Sequence, residues 1–225
     1  DSMEKLIAAA ARDADPAIVI NFGGVAVGKK AARSRLLDLV GVADPIDISL
    51  DAIRATCVTQ RPLQDTPACP QARRKSVEDS RRAACKARKT LISRALDERK
   101  SLYVEWTDEF HLHRFANNGG KQLRLSRLAG MGYKIVLCLT HCADVEAQMR
   151  ASWSAVVHSS GASEAAVRAN IGTRAQHFVE ACKVCSASVP PAQLTVCAHR
   201  KERRHEKGTV LWLGWAIGWN ACSWP

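Results

Sequence analysis

A glycine-rich loop with the sequence GGVAVGKK, at residues 23–30, contains residue types that bind phosphate groups. Gly23, Gly28 and Lys29 have the G-x4-G-K spacing of a phosphate-binding loop, and the apolar run AIVINF precedes them. Glycines allow backbone N–H groups to turn towards phosphate oxygens, and the N-terminus of a following helix adds positive potential. The spacing therefore predicts a nucleotide-binding site formed by Gly23, Gly24, Gly28, Lys29 and Lys30.

The last position of this motif departs from the usual pattern. Lys30 stands where a Ser or Thr normally ligates Mg²⁺, and a charged lysine has no lone pair to donate and repels the metal. Val25 and Val27 are β-branched, so they resist the positive φ angles that such loops often adopt. An ordinary glycine-rich turn between a strand and a helix is the alternative interpretation. We expect a modified phosphate-binding loop for which Mg²⁺ is a doubtful cofactor.

Short apolar runs and helical patterns alternate along the chain, and they define the elements that must position this loop. We expect strands at residues 17–22, 45–48, 101–106, 133–140, 193–198 and 209–213. We expect helices at residues 2–14, 29–40, 71–99, 144–157 and 163–185, a helix that begins near residue 51 and another that ends near residue 131. This order predicts an α/β fold with a mostly parallel sheet flanked by helices, of the P-loop NTPase or kinase type.

Three further segments lie at the ends of predicted strands or lead into them. They are ISLDAIR at residues 48–54, YVEWT at residues 103–107 and AGMGYKIV at residues 129–136. Together with the loop, and over about residues 17–200, these segments resemble the zeta-toxin family of P-loop kinases. That family uses ATP to phosphorylate a sugar hydroxyl of UDP-N-acetylglucosamine, so the resemblance implies ATP as cofactor and a nucleotide as partner.

The resemblance also implies roles for individual residues. Asp51 would act as general base on the acceptor hydroxyl, and Lys29 would contact the β and γ phosphates. Glu105 would contact the substrate and Thr107 would line its site. Arg150 best matches a family arginine that lies near the transferred phosphate.

Each of these residues also has a structural interpretation. Asp51 could cap the helix that follows it, Glu105 could pair with a nearby arginine, and Arg150 could be a surface residue. A second arginine of the family has no counterpart here, and Trp106 replaces a family glycine, which would crowd the substrate site. These departures leave open whether the site is active.

The formal net charge of +11 is concentrated in two segments. Residues 71–100 contain eleven Lys or Arg and four acids, and residues 199–207 contain five Lys or Arg and two acids. Clustered positive charge favours a polyanion partner such as RNA, whereas a solvated helix face is the alternative. The predicted polyanion-binding residues are Arg73, Arg74, Arg81, Arg82, Lys86, Arg88, Lys89, Arg200, Arg203 and Arg204.

We expect residues 1–200 to form the kinase-like domain and residues 201–225 to form a basic run with a Trp-rich hairpin or docking tail. Four of the six tryptophans lie in that tail, at Trp212, Trp215, Trp219 and Trp224. Aromatic residues at this density usually bury against something. The tail could therefore bind a protein partner or complete the core of the domain.

The nine cysteines show no disulfide spacing, which favours a reducing compartment, either the cytoplasm or an organelle matrix. Cys182, Cys185, Cys197 and His199 are residue types that zinc accepts, but buried thiols are the simpler interpretation, so we expect no metal site. No apolar run approaches the roughly 20 residues that span a membrane.

Two hypotheses follow from the sequence. In the first, the chain is an ATP-dependent kinase that phosphorylates a hydroxyl of a nucleotide sugar or a similar small molecule, with activity weakened or lost through its altered loop. In the second, it is a catalytically inactive P-loop domain that serves as a basic structural or RNA-contacting subunit of a large assembly, such as an organellar ribosome.

Overall fold

The computed structural model of the chain describes residues 2–10, 13–24, 27–57, 70–106, 123–142, 178–180, 182–183, 185–201 and 209–213. Its helices are α1 (Ser2–Ala9), α2 (Lys29–Val40), α3 (Leu50–Cys57), α4 (Pro70–Asp97) and α5 (Leu125–Gly130). Its strands are β1 (Ala17–Phe22), β2 (Ile46–Asp47), β3 (Leu102–Trp106), β4 (Lys134–Cys142), β5 (Leu194–Lys201) and β6 (Thr209–Leu213). A short 3-10 helix (Pro191–Gln193) leads into β5, and the described residues between 178 and 188 are helical.

The strands form one sheet in the order β2-β3-β1-β4-β5-β6. The first five strands are parallel, and β6 pairs antiparallel with β5. The prediction of a mostly parallel sheet flanked by helices is confirmed. Since β1 lies between β3 and β4, the loop that follows β1 begins at the carboxyl edge of two neighbouring strands.

The two faces of β1 explain why its sequence is continuously apolar. Ile18 and Ile20 are fully buried in a large core shared with α1, α3, α4 and α5. Val19, on the opposite face, packs in a smaller core with Tyr103 and with Leu36 of α2. A strand covered on both faces needs apolar side chains at nearly every position. Asn21 is the exception in β1, because its polar side chain is fully buried.

Helix α1 and strand β2 are clearly shorter than predicted. Helix α1 ends at Ala9, since the buried Lys100 Nζ donates a hydrogen bond of 2.6 Å to the carbonyl of Ala10. The backbone N–H of Asp13 then bonds to the carbonyl of Arg99, which directs the chain into the sheet. Strand β2 keeps only two residues, because it lies at the edge of the sheet and Pro45, just before it, has no N–H to donate.

None of the helices in the described part of the chain is both long and apolar enough to cross a membrane. Among the same residues, no group of three or more His, Cys, Asp or Glu side chains is arranged to hold a metal ion. Cys182 and Cys185 are buried free thiols, and burial raises the pKa of Cys185 to about 12. They therefore remain protonated and pack as small apolar groups.

The long helix α4 is held to the sheet by a stripe of buried residues that includes the fully buried Leu91. We predict that Leu91→Ala lowers the free energy of unfolding by about 2–5 kcal/mol, because it leaves a cavity in this core. Lys89→Ala, at an exposed position of the same helix, should change it by less than about 0.5 kcal/mol. Urea denaturation of both variants measures this, and equal effects would contradict the packing described.

Candidate functional site

The chain leaves β1 through a very close approach between Gly23 and the neighbouring strands. The Gly23 N–H donates a hydrogen bond of 3.1 Å to the carbonyl of Trp106, at the end of β3. A Cβ atom on Gly23 would lie 2.5 Å from the carbonyl oxygen of Thr140 in β4. Only glycine therefore fits at the point where the loop begins.

Lys29 is the first residue of α2, and its side chain is only 6% exposed. Its ammonium group donates hydrogen bonds of 2.7 Å to the carbonyl oxygens of Gly23 and Gly24. Gly28, the N-cap, has φ 93° and ψ 27°, a left-handed conformation that favours glycine. The lysine thus folds back across the start of its own loop, and its charge lies at the N-terminus of a helix.

Three buried polar side chains support this loop from below. Asn21 Nδ2 donates a hydrogen bond of 3.1 Å to the hydroxyl of Tyr103, and the hydroxyl of Thr140 donates one of 2.6 Å to Asn21 Oδ1. Burial raises the pKa of Tyr103 above its usual range, so the phenol stays neutral. Asn21 therefore links the central strand to both neighbours just before the loop.

A second set of polar contacts fixes the junction between β2 and α3. Asp47 Oδ1 accepts a hydrogen bond of 2.9 Å from the N–H of Ser49, and Asp47 Oδ2 accepts one of 2.9 Å from Arg33 of α2. The hydroxyl of Ser49 accepts a 2.8 Å hydrogen bond from the N–H of Glu105. Arg33 also lies over the ring of Tyr103, at 4.8 Å. These contacts tie the ends of β2 and β3 to α2.

The two carboxylates predicted for the substrate side have different environments. The side chain of Asp51, in the first turn of α3, is 75% exposed and lies 3.7 Å from Arg54. Glu105 is half-buried, and burial raises its pKa, while the positive charge of Lys29 opposes that shift. The negative charges of Asp47 and Asp51 add to the rise.

The structure thus brings much of the predicted site to one edge of the sheet. Gly23, Gly24, Gly28 and Lys29 form the described part of the loop, and Lys30 follows as an exposed residue of α2. Asp51 follows the end of β2 and Glu105 lies near the end of β3. The predicted site residues Thr107 and Arg150 lie outside the described residues.

The predicted polyanion-binding residues divide into three groups. Arg82, Lys86 and Lys89 are exposed on α4. Arg88 instead lies on the inner side of that helix, because its position continues the stripe of buried residues that contains Ala84. Of the remaining residues, the structure describes only the backbone of Arg73, Arg74, Arg81 and Arg200, and Arg203 and Arg204 lie outside it.

Sequence reasoning missed Arg33, Asp47, Ser49 and Asn21, which position the site. Asn21 and Ser49 did carry a signal, because each is a polar residue inside or next to an apolar run expected to be buried. Arg33 and Asp47 are fourteen residues apart, and nothing in the sequence indicates that they form an ion pair.

The residues present fit a nucleotide phosphate better than they fit Mg²⁺. Lys29 and the N-terminus of α2 supply positive charge next to backbone that only glycine can form. The hydroxyl that usually ligates Mg²⁺ after the lysine is replaced by the ammonium group of Lys30. Asp47 already accepts a hydrogen bond from Arg33.

No protein-family model and no curated protein sequence matches the chain. Among solved structures, the chain is similar to PezT, a zeta-toxin-family P-loop kinase of the PezAT toxin–antitoxin system of Streptococcus pneumoniae. The TM-score is 0.57 with 15% sequence identity, and the match covers 92% of this chain and 77% of that one. At this identity the similarity shows a P-loop kinase fold.

A second similar structure comes from a Chloroflexus aurantiacus protein assigned as a kinase. It has a TM-score of 0.44 and 14% sequence identity, and the match covers 83% of this chain and 85% of that one.

We predict that Gly23→Ala destabilises the protein by about 1–3 kcal/mol, because the new methyl group overlaps the backbone of Thr140 and must displace β4 or the loop. Gly130→Ala is the matched control, since a Cβ there meets nothing within 4 Å and helix α5 should gain up to about 1 kcal/mol. Thermal unfolding compares the two variants. Equal shifts in Tm would contradict the close approach.

The raised pKa of Glu105 predicts a pH-dependent difference from Glu105→Gln. The folded state disfavours the ionised carboxylate, so the contribution of Glu105 to stability is present below the pKa of the unfolded chain and is lost as pH rises through the raised value. The stability of Glu105→Gln relative to wild type should therefore increase as pH rises above about 4.3. Urea denaturation at a series of pH values measures this, and a constant or decreasing difference would contradict it.

Proposed function

We propose that the chain binds ATP at the loop of residues 23–30 and transfers a phosphoryl group to a hydroxyl of a small acceptor, such as a nucleotide sugar. The observation that carries the proposal is the buried ammonium group of Lys29, which lies across the loop at the end of the central strand. The P-loop kinase fold supports it, since phosphate binding at this position is typical of that fold.

Phosphate binding requires Lys29 to exchange its partners. In the structure its ammonium group bonds to the carbonyls of Gly23 and Gly24, 2.7 Å away in each case. Phosphate oxygens carry full negative charge, so they form stronger bonds with the ammonium group than neutral carbonyls do. The bound triphosphate supplies the phosphoryl group for transfer, and the N-terminus of α2 stabilises its negative charge.

The acceptor side of the proposed site is formed by α3 and the end of β3. Asp51 is exposed and only loosely paired with Arg54, so its carboxylate is accessible to a substrate hydroxyl and could take up its proton. Burial raises the pKa of Glu105, so its carboxylate accepts a hydrogen bond from a substrate hydroxyl more strongly than the carboxylate of an ordinary glutamate does.

The replacement at Lys30 predicts slow turnover. The ammonium group contributes positive charge near the phosphates but cannot act as a metal ligand, so no step is assigned to a metal at this position. Loss of one preorganised electrostatic group typically costs about 10²–10³-fold in kcat. We therefore propose a kinase whose activity is weak and whose nucleotide binding depends little on Mg²⁺.

We predict that calorimetric titration detects ATP binding to the wild-type protein with and without Mg²⁺, and that Lys29→Ala abolishes it. Lys5→Ala, at an exposed lysine of α1, is the control and should bind like wild type. Asp51→Asn should retain ATP binding but lose phosphoryl transfer to acceptor hydroxyls. Absence of ATP binding by the wild-type protein would refute the proposal and favour the inactive, basic subunit as its alternative.

A further inference from the structure

Arg88 occupies a position where the pattern of α4 calls for an apolar side chain. Ala84 lies one helical turn before it, and Leu91 and Ala95 lie one and two turns after it on the same side, all with no exposed surface. The stripe packs α4 against α3 and the sheet. An arginine in this stripe must have a reason other than packing, because burying its charge is costly.

The surroundings of the guanidinium group leave part of it without a partner in the described structure. It lies over the ring of Trp106, 5.5 Å from the ring centre. Its Nε and Nη2 atoms are buried, and neither has a hydrogen-bond partner among the described residues. Burial lowers the pKa of Arg88 from its usual value, with Cys85 and Asp47 opposing the shift, but arginine retains its proton in proteins.

Described carboxylates do not neutralise this charge by direct contact. Asp47 acts on Arg88 through space, but Asp47 already bonds to Arg33 at 2.9 Å and to the N–H of Ser49. Removing an ion from water without a bonded counter-ion costs several kcal/mol. Other interactions in the fold must offset this free-energy cost. An anionic group of a ligand that bonds to Arg88 would lower the cost, so the arrangement favours binding of such a ligand.

The position of Arg88 relative to the sheet indicates which ligand. Trp106 is the last residue of β3, next to Glu105, so the guanidinium group lies at the carboxyl edge of the sheet. It is on the side of α3, the helix that carries Asp51, whereas α2 packs on the opposite face. This is the acceptor side of the proposed site.

We propose that Arg88, held against the ring of Trp106, binds an anionic group of the acceptor, either a phosphate or a carboxylate. This inference rests on the proposed function, and it adds a residue of α4 that binds the acceptor. The planar guanidinium fork presents Nε and Nη2 as a pair, the geometry that binds two oxygens of one oxyanion. Trp106 replaces the glycine of the resembled family, and the centre of its ring lies 5.5 Å from Cζ of that guanidinium group.

The first test is the stability of the ligand-free protein. Arg88→Met keeps the length of the side chain and removes the unpaired charge, so Tm should rise by about 3 °C or more. Arg124→Met makes the same chemical change at an exposed arginine and should leave Tm within about 2 °C of wild type. A lower Tm for Arg88→Met would overturn the proposal, because it would mean that Arg88 is retained for a structural contact.

The second test is anion binding in a Lys29→Ala background, which removes the phosphate site of the loop. Inorganic phosphate and acetate are titrated separately at constant ionic strength, and Arg88→Met should weaken binding of one of them by about tenfold or more. Loss of phosphate binding assigns a phosphorylated acceptor, and loss of acetate binding assigns a carboxylate acceptor. Arg124→Met is the control for loss of one positive charge and should leave binding of both anions unchanged. The proposal is overturned if Arg88→Met weakens binding of neither anion, or if Arg124→Met weakens it equally.

These measurements remain informative if the proposed function fails. Because the titration is made without ATP and without Lys29, an Arg88-dependent anion site would be detected in a protein that binds no nucleotide. Conversely, normal ATP binding with no Arg88-dependent anion binding would retain the kinase proposal and reject Arg88 as the residue that binds the acceptor.

Discussion

The position of the Gly23 backbone between β3 and β4 is the constraint on which the rest of the site depends. One side of this residue bonds to the carbonyl of Trp106, and the other approaches the carbonyl of Thr140 too closely for a side chain. The loop must therefore leave the sheet in one direction, which sets where α2 begins and where its first lysine lies. Asn21, two residues earlier, connects the same three strands through its side-chain hydrogen bonds to Tyr103 and Thr140.

The two halves of the site are stabilised by different physics. The phosphate side consists of backbone geometry and one helix terminus, and its shape follows from steric limits at glycine. The acceptor side contains hydrogen bonds from the backbone N–H groups of Ser49 and Glu105 to the side chains of Asp47 and Ser49, together with the Arg33–Asp47 ion pair. Such a network is sensitive to each member, because loss of one partner leaves another buried polar group unsatisfied.

Local sequence patterns predicted the elements whose burial follows a regular period along the chain. Strand β1 and helix α2 have the predicted bounds, since a run buried on both faces and an amphipathic helix carry their own periodicity. Helix α1 ends early through contacts with Lys100 and Arg99, some ninety residues away, which no local pattern contains. The inward position of Arg88 could not be predicted for a similar reason. Eleven basic residues in one segment resemble a charged surface, and only the packing of α4 shows that Arg88 faces inward.

The sheet has two unlike margins. On one margin β2 offers two residues and follows a proline, so little backbone is available for pairing. On the other margin the parallel order gives way to an antiparallel strand, and β6 contributes five residues with the sequence TVLWL. Among the described residues, β6 pairs on one side only, so backbone hydrogen bonding alone would allow growth of the described sheet at β6 and disfavour it at β2. The two margins of the described sheet therefore differ in their capacity to pair with another strand. Strand addition, by a partner or by a second copy of the chain, would favour β6, the margin farthest from the acceptor side.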